Sequence, residues 1–91
     1  MINTLIIEDE KIAADNLMRL LKLTKEPVTV SAVLDSVEES INWFNGNQQP
    51  DLVFMDIHLK DGNSFSIFEK VSVTAPIVFI TAYDNYLVKA F

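Results

Sequence analysis

The chain has 91 residues, room for one small domain, and its 49 per cent hydrophobic content excludes disorder over most of that length. Seven Lys and Arg stand against 13 Asp and Glu, a formal net charge of −6, so this segment is not expected to grip nucleic acid or a membrane directly. The absence of cysteine removes disulfide frameworks and thiolate metal sites. With no signal-like start and no membrane-length apolar run, a cytoplasmic chain is expected.

Four short apolar runs recur along the chain: Ile2 to Ile7, Val28 to Leu34, Leu52 to Ile57 and Ile77 to Ile80. The third and fourth are almost wholly apolar, the mark of parallel strands covered on both faces. Between the first two runs, Lys11 to Lys22 reads as a helix with Ala13, Leu17, Leu20 and Leu21 on its apolar face. Ser36 and Glu39 form a capping-box signature that opens a second helix, burying Val37, Ile41 and Phe44 and stopping near Gly46. A shorter helical segment, Ser64 to Val71, places Ile67, Phe68 and Val71 together, and Asp84 opens a last helix with Leu87, Val88 and Phe91. Core packing is the default expectation for most of Trp43, Phe44, Phe65 and Phe68. The alternation βαβαβαβα predicts an α/β fold, a doubly wound parallel sheet with strand order 2-1-3-4.

In such a sheet the strands' carboxyl ends share one edge, and ligands favour the crevice where the strand order reverses. Glu8, Asp9 and Glu10 follow the first strand, Asp56 ends the third and Thr81 follows the fourth. Asp9 and Asp56 are therefore expected to converge, with Thr81 alongside. Crowded carboxylates share a proton or a cation, and their oxygen donors suit Mg²⁺. A carboxylate beside that ion can also attack phosphorus, giving an aspartyl phosphate. The bland alternatives are a solvated turn for Glu8 to Glu10 and ordinary strand ends for Asp56 and Thr81. Their common register favours a site. A carboxylate directly after Val53-Phe54-Met55 also needs a partner to offset its burial. His58 reads as an exposed loop residue and Asp61-Gly62 as turn chemistry.

Three segments carry a resemblance: Ile7-Glu8-Asp9-Glu10, Phe54-Met55-Asp56-Ile57-His58-Leu59 with Asp61-Gly62, and Phe79-Ile80-Thr81-Ala82. In sequence and spacing they resemble the receiver domain of two-component response regulators, over the whole chain, residues 1–91. Phe79 to Asp84 is similar to the LytR/AlgR subgroup, whose receivers usually precede a LytTR-type DNA-binding output domain. The resemblance implies a flavodoxin-like fold and a phosphoryl group passed from a sensor histidine kinase to Asp56. It implies Mg²⁺ held directly by Asp9 and Asp56, through water by Glu8, and by the backbone carbonyl of His58. Thr81 would be the switch hydroxyl and Ala82 the small neighbour that leaves room for the phosphoryl donor. The family continues into a fifth strand and helix bearing a lysine and an aromatic switch residue. This sequence stops before both, so a sheet lacking its fifth strand, and a receiver domain incomplete at its C-terminus, are expected.

Two other functions fit these residues less well. A haloacid-dehalogenase-like phosphohydrolase wants a second Asp two residues after the nucleophile, where His58 stands, so an enzyme is not expected. A pseudo-receiver would act only as an interaction or dimerisation module, and the intact acidic residues count against it. The apolar fourth strand, left as an edge, is expected to favour homodimers or edge-strand association.

Overall fold

The computed structural model describes residues 1–80. Four strands, β1 (Ile2–Ile7), β2 (Val28–Leu34), β3 (Leu52–Asp56) and a last strand, Ile77–Ile80, alternate with helices α1 (Lys11–Lys22), α2 (Val37–Gly46) and α3 (Phe65–Lys70). A two-stranded hairpin, β4 (His58–Leu59) and β5 (Gly62–Asn63), lies between β3 and α3, so the last strand is β6. The main sheet is parallel, in the order β2-β1-β3-β6. This is the expected 2-1-3-4 arrangement, with β6 as the fourth strand.

Burial follows position in the sheet. Central β1 is fully enclosed from Thr4 to Ile7, whereas β2 at the edge alternates half-buried and exposed residues along most of its length. Leu5 and Ile7 of β1 and Val53 and Met55 of β3 fall on one face by the two-residue period of a strand. They form a core with Leu34, Phe44, Leu59 and Ile67. Residues from α2 and α3 therefore close that face.

Three packing expectations fail. On α1 the buried residue is Ala14, and Leu20 is 57 per cent exposed. Phe65 and Phe68 are 45 and 37 per cent exposed, although Ile67 between them is fully buried. Val78 on β6 is 43 per cent exposed, so the last strand is not covered on both faces among the described residues. In each case sequence period identifies a stripe, but tertiary neighbours decide whether the stripe is covered. Phe65 keeps an edge contact with Phe79 of β6, ring centres 5.4 Å apart. The helix expected from Asp84 lies outside the described residues. Among those described, no helix is long and apolar enough to cross a membrane.

Candidate functional site

The site forms where β1 and β3 end side by side. Ile7 pairs with Met55, so the residues that follow each of them emerge at the same edge of the sheet. Those residues are Glu8 and Asp9 after β1 and Asp56 at the end of β3. The strand order reverses here, β2 lying to one side of β1 and β6 beyond β3, which opens the crevice expected of a doubly wound sheet.

Carboxylate oxygens of Glu8, Asp9 and Asp56 lie within 4.8 Å of one another. Glu8 and Asp56 are only 6 and 8 per cent exposed. Three acids this close repel one another, and burial makes the repulsion harder to screen. The Glu8 carboxyl responds: burial pushes it up to about 7, against the opposing pull of the Glu10 N–H, which donates to it at 3.0 Å. The neighbouring Asp56 charge pushes it further the same way. A hard divalent cation fits this donor set, because oxygen ligands alone are offered and each carries or shares negative charge.

A cleft of about 280 Å³ opens beside the cluster, lined by Glu8, Glu10, Ala13, Asn16, Leu17, Asp56 and Ile80. Its lining combines the carboxylates of Glu8, Glu10 and Asp56 with the apolar side chains of Ala13, Leu17 and Ile80. The arrangement suits a small anionic group brought in with its own cation, the metal joining what the carboxylates alone would repel.

Residues 4–91 match the response regulator receiver domain family. The chain belongs to that family. It is 42 per cent identical over 94 residues to the sensory transduction protein LytT of Bacillus anthracis, covering all of this chain and 37 per cent of that one. It is equally 42 per cent identical over 92 residues to LytT of Enterococcus faecalis, covering 98 and 37 per cent of the two chains. Among solved structures, the response regulator PhyR from Brucella abortus aligns with a TM-score of 0.74 and 25 per cent identity, over 89 per cent of this chain and 33 per cent of PhyR. The chain thus spans little more than a third of the curated relatives it matches.

Of the receiver residues named from sequence, the structure brings Glu8, Asp9 and Asp56 together. His58 stands two residues on, exposed, in β4, with its N–H directed at Asp56 Oδ1 over 3.4 Å. Thr81 and Ala82 lie outside the described residues.

Two side chains of the hairpin after Asp56 accept from backbone N–H groups at helix starts. Asp61, read as turn chemistry, reaches the start of α2, where Oδ1 accepts from the Val37 N–H at 2.7 Å and Oδ2 from the Glu38 N–H at 3.1 Å. Those hydrogen bonds, Val37's foremost, hold the Asp61 carboxyl below the usual carboxylate range. Asn63 Oδ1 accepts from the Phe65 N–H at 2.8 Å, an Asx turn that leads into α3. No local signal marks the Asp61 contact, since its partners lie 23 and 24 residues away. The Asn63 bond spans two residues, and an Asx turn ahead of the helix was a signal that could have found it.

Proposed function

We propose that this receiver takes a phosphoryl group onto Asp56 from a phosphohistidine of a sensor histidine kinase, with Mg²⁺ at the acidic cluster. The observation that carries the reading is the convergence of the Glu8, Asp9 and Asp56 carboxylates at the switch point of the sheet. An Asp56 carboxylate oxygen forms a bond to phosphorus, and the bond from phosphorus to the donor imidazole nitrogen breaks, leaving the imidazole to take up a proton. Asp9 and Asp56 would ligate the metal directly, Glu8 through water, and the His58 backbone carbonyl would be a further protein ligand. The bound ion supplies neutralisation of charge on the phosphoryl oxygens. Thr81 would then hydrogen-bond a phosphoryl oxygen, and Ala82 would leave space for the donor.

The product is a changed surface and not a released molecule. The LytT resemblance supports a longer protein in which residues 1–91 belong to the receiver and a LytTR-type output domain binds DNA to regulate transcription. The domain's own net charge of −6 fits an indirect part in that binding. The test is intact mass after incubation with acetyl phosphate and Mg²⁺, beside an Asp56→Asn variant. One added phosphoryl group, absent from the variant, is expected. A native protein that stays unmodified, while a known receiver in the same solution is modified, overturns the reading.

A further inference from the structure

The segment that follows Asp56 is a short hairpin, closed at its base by the Ser64 N–H donating to the Ile57 carbonyl at 2.8 Å. Its ladder consists of the pairs His58 with Asn63 and Leu59 with Gly62, and a two-stranded hairpin is marginal in water by itself. Leu59 is buried and anchors the first strand, whereas Gly62 and Asn63 of the second are exposed. The tip carries two contacts with the β2–α2 junction. Lys60 Nζ meets Asp35 Oδ2 at 2.9 Å, but both side chains are about half exposed, and such a pair contributes little. Asp61 is different: one carboxylate takes two backbone N–H groups of the first turn of α2, where the helix dipole also favours negative charge.

We infer that Asp61 is a positioning residue for the acceptor site, its carboxylate cap on α2 fixing the hairpin through which the His58 carbonyl is presented to the metal. The inference rests on the role given above to Asp56 and His58. It assigns to α2, through its first turn, a share in holding the geometry of the site.

Binding of Mn²⁺, a paramagnetic stand-in for Mg²⁺ at oxygen sites, can be read from loss of the free-ion resonance signal in the intact native protein, with Asp9→Asn as the blank. Asp61→Ala is expected to weaken binding about tenfold, and Asp61→Asn, which keeps one acceptor oxygen, by less. Ser36→Ala is the control. It removes another cap of the same helix, the bond from the Glu39 N–H to Ser36 Oγ, and leaves in place the two N–H groups that Asp61 takes. Ser36→Ala is expected to stay within about twofold of the native affinity, since it reorients no metal ligand. Amide exchange at His58 and Asn63 is expected to quicken in Asp61→Ala and not in Ser36→Ala.

An Asp61→Ala protein that binds like the native one overturns the inference. So does a Ser36→Ala protein weakened as much as Asp61→Ala, because the effect would then be one of general stability. If Asp61→Ala fails to fold, Asp61→Asn carries the same comparison. A native protein that takes up no Mn²⁺ overturns the reading of the site itself and the inference with it, an outcome distinct from native binding that Asp61 does not affect.

Discussion

At the residue scale, Glu8 holds a proton more tightly in the folded chain than its ordinary value of 4.5 allows, reaching about 7. A group raised in this way contributes its full stability below about pH 4.5, and that contribution is lost as pH rises through 7. Without divalent cations, the native protein should therefore lose on the order of 1–2 kcal/mol between pH 5 and 8 that a Glu8→Gln variant does not, after discounting for solvent screening. Urea unfolding of both proteins across that range checks it, and parallel curves would remove Glu8 as the source. Thr4 poses a different residue-scale problem. Its hydroxyl is fully buried in β1 and finds no hydrogen-bond partner among the described residues. Thr4→Val replaces that oxygen with a methyl of similar size, and should raise the unfolding free energy by about 1 kcal/mol. The same denaturation measurement reads the gain, and a loss of stability would show that the hydroxyl is satisfied.

At the element scale, α2 shows how far local sequence reaches. The bond from the Glu39 N–H to Ser36 Oγ is half of the capping box read from the sequence. The other half is shifted by one residue: Glu39 Oε1 accepts from the Asp35 N–H and not from that of Ser36. Ser36→Ala should cost about 1 kcal/mol in urea unfolding, a typical value for one lost cap. A cost near zero would mean that Asp61 alone holds this helix end. The start of α2 was legible because its Ser36 cap is written in neighbouring side chains, whereas α1 offered only its period, its N-cap Glu10 making no side-chain cap bond. The hairpin was not legible, since two-residue strands are too short to show a period. Asp61 escaped for another reason: its partners are adjacent only after the chain has folded.

At the scale of the whole molecule, the site was legible because topology is what assembles it. Once the four runs were placed in the order 2-1-3-4, the acids after β1 and at the end of β3 had to meet, and they do. Packing elsewhere in the fold was less readable, since the exposure of Leu20, Phe68 and Val78 depends on which neighbours cover each stripe. With the Mg²⁺ proposed above, the cluster would couple metal, proton and fold. A cation that binds only the folded chain stabilises it by mass action, about 1.4 kcal/mol at ten times its dissociation constant. Binding also displaces the proton that Glu8 holds near neutrality, so the gain should be full above pH 7 and fade as pH falls below it. That dependence is opposite in sign to the one expected of the metal-free protein. Adding Mg²⁺ should therefore flatten the stability profile between pH 5 and 8, and Asp9→Asn should abolish the flattening. Thermal unfolding with and without Mg²⁺ at several pH values decides the matter. A Mg²⁺ gain that is independent of pH would mean that the ion binds without displacing the Glu8 proton, and the coupling between the two would have to be abandoned.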